Sequence, residues 1–259
     1  MVMAGKSDKK AIFMNFIVFD LEFNQDFSSL QNFPAGEKPP FEIIQIGAVK
    51  LDPDFHTLGT FDRYVKPTFY DKIDPFITQL TGISTEQLLK EETFPEVFEA
   101  FIEFIGGNDA VFCTWSMADI GGLFKNARHH QLDETLLPSL VIDLQPYVSA
   151  YLGLPRKNVV GLENAAAAMN IPIVHTFHNA FHDAGYTTEI LKRIYHPSIQ
   201  PIKYDPHYIP VRWREQKKEI DTEKLIQQFE KMYARSLNEE EISMILLAYK
   251  MGRTHQFLK

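Results

Sequence analysis

Apolar residues in the first part of the chain fall in short, β-branched runs. Asn15–Glu22 (NFIVFDLE), Glu42–Leu51 (EIIQIGAVKL) and His56–Val65 each read as a strand. Asn24–Pro40, between the first two, is rich in Asn, Ser, Pro and Gly; it predicts a loop, and its length marks that loop as functional. Further on the period changes. Phe76–Gly82 and Ser84–Leu89 predict short helices. Phe94–Ile105 spaces Phe94, Val97, Phe98, Phe101, Ile102 and Ile105 on one helical face and stops at Gly106-Gly107. Ala110–Trp115 and Ser139–Asp143 are strand-like, whereas Met117–His129, Leu144–Leu152, Leu162–Met169 and Asn179–Tyr195 are helical, the last ending near Pro197. Three strands followed by alternating helices and strands predict an α/β fold. Its mixed central sheet begins antiparallel, continues parallel and is flanked by α-helices.

The last part of the chain changes character. Pro197–Pro210 predicts an extended stretch, and Lys217–Ala234 and Glu239–Met251 predict two amphipathic helices. Leu225, Phe229 and Met232 line a face of the first; Ile242, Ile245, Leu246 and Tyr249 line a face of the second. Asn238 followed by three glutamates is a helix N-cap with a dipole-favourable first turn. The expected organisation is a leader at 1–14, a main α/β domain at 15–197, and an extended linker with a helical C-terminal extension at 198–259.

Composition narrows the class. Of 259 residues, 45% are hydrophobic and 23% charged, which excludes wholesale disorder. No apolar run approaches the ~20 residues of a membrane helix, and no signal peptide is legible. A single cysteine, Cys113, permits neither an internal disulfide nor a cysteine-built zinc cage and reads as a small core residue. These features predict a cytoplasmic protein without a membrane partner. The net charge is −8, with net +2 in residues 203–259 and −10 in residues 1–202. That acid excess does not exclude a polyanionic partner, because bound divalent ions invert the sign of a carboxylate cluster.

Three places carry candidate chemistry. Asp20-Leu21-Glu22 ends the first strand, and residues two apart on a strand share a face. Two acids so placed are costly unless a cation neutralises them, and their oxygens suit Mg²⁺ or Mn²⁺. Asp119 falls in the first turn of the helix that follows Trp115, where the dipole favours an anion. In His178-Asn179-Ala180-Phe181-His182-Asp183, His178 stands at the helix entrance and Asp183 in the helix. His175 and His182 read as surface or packing residues, and His129-His130 as a helix C-terminus. Gly106-Gly107 and Gly121-Gly122 lack the surroundings of a phosphate-binding loop.

Taken together, these pieces resemble the DEDDh group, the DnaQ-like 3′→5′ exonucleases of the ribonuclease H-like superfamily. Glu42–Val49 is similar to that family's second strand, and Ile73–Ser84 to its segment ending in Leu-Thr-Gly-Ile. The resemblance spans roughly Phe16–Ile194 and is nearest to the KapD and ERI-type branch, which includes the histone-mRNA 3′ exonuclease. Gln45, where many relatives carry Glu, and Phe23-Asn24 after the acidic pair depart from the pattern without removing a ligand.

The resemblance implies a ribonuclease H-like mixed sheet. It also implies two divalent ions, Mg²⁺ or Mn²⁺, held by Asp20, Glu22, Asp119 and Asp183, with His178 as general base. The expected reaction is hydrolysis of phosphodiester bonds at single-stranded 3′ ends, RNA favoured over DNA, releasing nucleoside 5′-monophosphates. Backbone near Leu21 and the rings of Phe23, Phe27 and Trp115 are candidates for holding substrate, with core packing the alternative for each ring. Two other functions compete: a non-catalytic nucleic-acid-binding or scaffold protein on the same fold, and a Mg²⁺-dependent hydrolase of small phosphate esters. Residues 203–259 are expected to bind nucleic acid, a protein partner or a second copy of the chain, or to pack on the domain.

Overall fold

The computed structural model describes residues 14–25, 41–155, 159–208 and 221–253. The expected leader before Met14, most of the loop between the first two strands (with Phe27), and positions 209–210 and 217–220 of the expected tail elements lie outside them. The chain divides into two compact units, Met1–His207 and Tyr208–Lys259.

The first unit holds a six-stranded sheet in the order β3-β2-β1-β4-β5-β6. Its strands are β1 (Phe16–Asn24), β2 (Glu42–Leu51), β3 (Thr57–Tyr64), β4 (Val111–Thr114), β5 (Leu140–Asp143) and β6 (Ile202–Lys203). β1 pairs antiparallel with β2 and parallel with β4; β2–β3 is antiparallel and β4–β5 parallel, so the expected mixed sheet is the one observed. β6 is an antiparallel edge strand within the stretch expected to be merely extended. Two residues are too short for a period-2 pattern to register. It joins the sheet because Tyr204 N–H donates to Ser139 O at 2.7 Å and the Tyr204 ring packs 5.0 Å from Phe124.

The helices of this unit are α1 (Pro75–Thr81), α2 (Thr85–Leu88), α3 (Phe94–Ile105), α4 (Met117–His129), α5 (Leu144–Tyr151), α6 (Leu162–Ala168) and α7 (Ala180–Ile194). α3 ends where Gly106 takes a left-handed φ of 74°, which a side chain there would resist. Alternation along β1 sorts the core into two layers. Ile17, Phe19 and Leu21 face α3 and α4, packing with Phe101, Ile105, Ile120 and Leu123. Phe16 and Val18 face the other side, packing with Val148, Tyr186 and Ile190 of α5 and α7. Phe19, Phe101 and Phe112 are fully buried and in ring contact. Burying each such side chain contributes about 1.5–3 kcal/mol.

β1 runs two residues beyond the expected end, to Asn24, with a register shift between Glu22 and Phe23. Glu22 faces Gln45 but Phe23 faces Ile43, so Ile44 is left over as a β-bulge. Ile44 turns instead into a small third cluster with Ile73, Ile77, Ile83 and Leu88. Asn24 is buried and ties this corner down: its amide donates to Lys72 O at 3.0 Å and accepts from Asp74 N–H at 2.9 Å.

The second unit contains α8 (Thr222–Tyr233) and α9 (Glu239–Arg253). Asn238 caps α9 as expected, accepting from Glu241 N–H at 2.9 Å. Arg235 forms a two-pronged pair with Glu241, at 2.9 and 2.6 Å, which holds the Glu241 carboxyl down at about 2. Leu225 and Phe229 are half-buried, joined by Ile226. Met232, expected on that face, is exposed, because it lies in the last turn, where the chain leaves the helix through Ala234 in a left-handed conformation. No helix among the described residues is long and apolar enough to cross a membrane.

Candidate active site

The alternation that sends Phe16 and Val18 toward α7 sends Asp20 and Glu22 the same way, one and two steps further along β1. There the start of α7 lies close against the sheet. Asp20 stands opposite Gly47 of β2, and a methyl group built on Gly47 would fall 2.1 Å from Phe181 N and 2.2 Å from Ala180 C. Only glycine leaves room for this approach. Gln45, fully buried, completes the seat: its side-chain oxygen accepts from Ala180 N–H at 3.1 Å and its amide donates to Asp62 at 2.9 Å. The first amide of α7, which has no partner within the helix, is thereby satisfied.

Asn179 caps α7 through His182 N–H. Before it, His178 adopts φ +63°, an uncommon backbone state for a non-glycine residue. Its N–H donates to Asp183 Oδ2 at 3.0 Å, folding the entering loop back onto the helix. The His178 ring is exposed, and one ligand atom each from Glu22, His178 and Asp183 lie within 4.8 Å of one another. Asp119 enters from the opposite layer, in the first turn of α4, whose N-cap Ser116 accepts from Ala118 N–H.

The charges show how tightly these groups are gathered. Burial, followed by the charges of Asp119, Asp183 and Glu22, raises the Asp20 carboxyl well above its ordinary range. Burial and the charges of Asp183 and Asp119 push Glu22 up to about 8. Asp119 is pushed to about 7 by burial against the pull of its own backbone amide, with Asp143 and Asp183 adding to the rise. Asp183 is raised to about 6 by burial, opposed by the His178 amide. Four carboxyls all raised by burial, Asp20, Glu22 and Asp119 also by neighbouring acids of the cluster, form a site short of positive charge. Asp183 Oδ1 is also buried without a hydrogen-bond partner. An all-oxygen donor set with an orphaned lone pair fits a hard divalent ion.

Two acids near the site escape the sequence reading. Asp143 ends β5, acts on Asp119 and caps α5 by accepting from Gln145 N–H. Glu163, in α6, acts on Asp183. The available signal for Asp143 was its position: like Asp20 and Glu22, it lies toward the carboxyl end of a parallel strand.

The candidate substrate residues fall in different places. Leu21 is in the α3–α4 core, and Trp115 is buried, 8% exposed, in the α5–α7 core. Phe23 is half-buried beside Gly122 of α4. His175 and His182 stack on each other with centroids 4.2 Å apart.

Comparison with known proteins agrees with this geometry. The family described as Exonuclease matches residues 17–191. A DNA polymerase III PolC-type protein of Clostridium perfringens is 33% identical over 177 residues, 68% of this chain and 11% of that protein. Human 3′-5′ exoribonuclease 1 is 36% identical over 89 residues, 31% of this chain and 25% of that protein. The chain therefore aligns with a small part of the length of these relatives. In fold, it resembles the nuclease domain of 3′hExo, a DEDDh family member bound to rAMP. The TM-score is 0.61 at 17% identity, covering 75% of this chain and 98% of that one.

Proposed function

Because the chain belongs to the exonuclease family, we propose that it removes nucleotides stepwise from single-stranded 3′ ends, RNA in preference to DNA, releasing nucleoside 5′-monophosphates. The observation that carries this reading is the gathering of Asp20, Glu22, Asp119 and Asp183, with His178 at their edge. A scaffold protein has no need of four mutually repelling acids. The similarity to a human exoribonuclease supports RNA.

Asp20, Glu22, Asp119 and Asp183 would hold two divalent ions, Mg²⁺ or Mn²⁺. When bound, such ions lower the pKa of the attacking water and stabilise the charge developing on the phosphodiester. The chain's own part is positioning and proton transfer. His178, exposed and held by its amide to Asp183, takes the proton of the attacking water, a step worth about 10²–10⁴-fold. The water oxygen forms a bond to phosphorus as the bond to the upstream O3′ breaks. The upstream strand departs as its O3′ takes a proton from solvent to become a new 3′ hydroxyl, and His178 returns its proton to solvent.

The test is a panel of 5′-labelled RNA and DNA strands with Mg²⁺, Mn²⁺ or EDTA. Shortening from the 3′ end is expected only with metal. It should be abolished by Asp20→Asn or Asp183→Asn and lowered about 10²–10⁴-fold by His178→Ala. Full activity in EDTA, or in the Asp20 variant, would overturn the reading.

A further inference from the structure

One face of α4, buried at Asp119 and Gly122 and exposed at Lys125 and His129, leads away from the carboxylate pocket and brings aromatic rings and a cation together in turn. Asp119, Gly122, Lys125 and His129 follow one another at helical intervals of three and four, so they share that face. Each position beyond Asp119 meets a ring from another segment. At Gly122, a Cβ would stand 2.5 Å from the Phe23 ring, so the glycine makes the space that ring fills. Lys125 Nζ lies 5.4 Å from the centroid of Phe41, and Phe23 and Phe41 meet edge to face at 5.1 Å. The His129 ring is 6.3 Å from Phe69.

Buried polar groups hold these rings in place. Asn126, fully buried, donates to Gly122 O and accepts from Ile43 N–H, both at 3.1 Å, which fixes the start of β2, and so Phe41, beside Lys125. Glu42, also buried, accepts the N–H groups of Thr68, Phe69 and Tyr70, which sets Phe69 against His130, at 4.7 Å, and beside His129. Lys125 and His129 are exposed and, among the described residues, neither forms an ion pair. Arg128, between them in sequence, is already engaged by Glu134 at 2.9 Å and by Pro206 O. Burial first, and then the charges of Arg128 and Lys125, hold the His129 imidazole below its ordinary range, which leaves Lys125 as the cation of this face.

We propose that this face is the track for the strand upstream of the terminal nucleotide. The Phe41 ring, backed by Phe23, supports a base, and Lys125 meets the phosphates, with the His129 ring beyond it. Aromatic rings beside a cation are what a groove needs to bind a single strand without reading its sequence. Lys125 lies about 9 Å along the helix axis from Asp119, far enough to grip the strand outside the site of cleavage. This inference rests on the proposed nuclease function and adds the path of the substrate to it.

The test measures equilibrium binding of a fluorescent single-stranded oligonucleotide by anisotropy across a salt series, and kinetics on the same strand. Lys125→Ala is expected to weaken binding and to lower the slope of log affinity against log salt by about 0.7. Phe41→Ala is expected to weaken binding about 5- to 150-fold, the range of base–aromatic stacking, with the salt slope kept. In kinetics both losses should fall on KM and shrink when the strand is cut to a dinucleotide. Lys90→Ala, an exposed charge in the turn after α2, is the control and should leave the slope unchanged. A wild-type salt slope and affinity in Lys125→Ala would overturn the track. Should the wild-type protein bind the strand through Lys125 but fail to cleave it with either metal, the track would stand and the nuclease assignment would fall.

Discussion

Gly47→Ala isolates the seating of α7 on the sheet with a single methyl group. A Cβ at this position would lie 2.1–2.3 Å from Phe181 N and from Ala180 C and O, more than 1 Å short of ordinary van der Waals contact. Those atoms are main chain and cannot rotate aside, so the N-terminus of α7 must lift or β2 must sink. Either way Asp183 and His178 move relative to Asp20, which stands directly opposite Gly47. A displacement of about 1 Å in a catalytic constellation can cost about 10²-fold in rate, and overpacking a core costs about 1–3 kcal/mol. The variant should therefore fold, melt at a lower temperature, and lose on the order of 10²-fold in kcat/KM on a single-stranded substrate with Mg²⁺. Gly59→Ala on β3 is the comparison: its Cβ would touch only the Phe104 ring, at 3.5 Å, and should be tolerated in both measurements. A Gly47→Ala protein with wild-type rate and melting temperature would refute the claim that this contact sets the geometry of the site.

Three further outcomes follow from the same structure. Gln45→Ala leaves the buried Ala180 N–H and a carboxylate oxygen of Asp62 without that partner and should cost about 1–3 kcal/mol by denaturant unfolding, with Gln45→Glu restoring the acceptor but not the donor. Glu22 and Asp119, raised to about 8 and about 7, make the metal-free fold bind more protons than the unfolded chain; its stability should be greatest below about pH 4 for these groups and should fall as pH rises through 7 to 8. Melting scans with EDTA should show that decline, Mg²⁺ should reverse it, and a metal-free protein that gains stability over this range would contradict the burial of these carboxyls. Ending the chain after His207 should leave the first unit folded, whereas ending it after Pro197 removes β6 and the Tyr204 contact with Phe124 and should lower its melting temperature.

Strong periodicity made most of the fold legible. α3 has the expected bounds because its apolar spacing and its glycine stop agree, α4 has them too, and β2 does because Glu42, Gln45 and Lys50 alone interrupt its apolar run. The acidic pair on β1 was legible because alternation alone decides which face Asp20 and Glu22 share. What could not be read depends on partners distant in the sequence. β6 exists only because β5 offers an edge; the bulge at Ile44 is a mismatch between two strands; and the influence of Asp143 and Glu163 on Asp119 and Asp183 follows from how β5 and α6 approach the site. Gln45 was noticed as a departure from the family pattern, but its two hydrogen bonds, one to a residue 135 positions away, appear only in three dimensions.

The alternation along β1 has a consequence for how this gene can vary. From Phe16 to Glu22 every residue is committed to one side of the sheet, so the strand behaves like a reading frame. Loss of one codon between Phe16 and Asp20 would turn Leu21 toward the ligands' side and drive both acids into the phenylalanine layer, abolishing site and core at one stroke. Just past Glu22 the tolerance changes, because the paired strands already differ there by the surplus Ile44. Length variation among related chains should therefore accumulate downstream of the acids and be missing upstream of them.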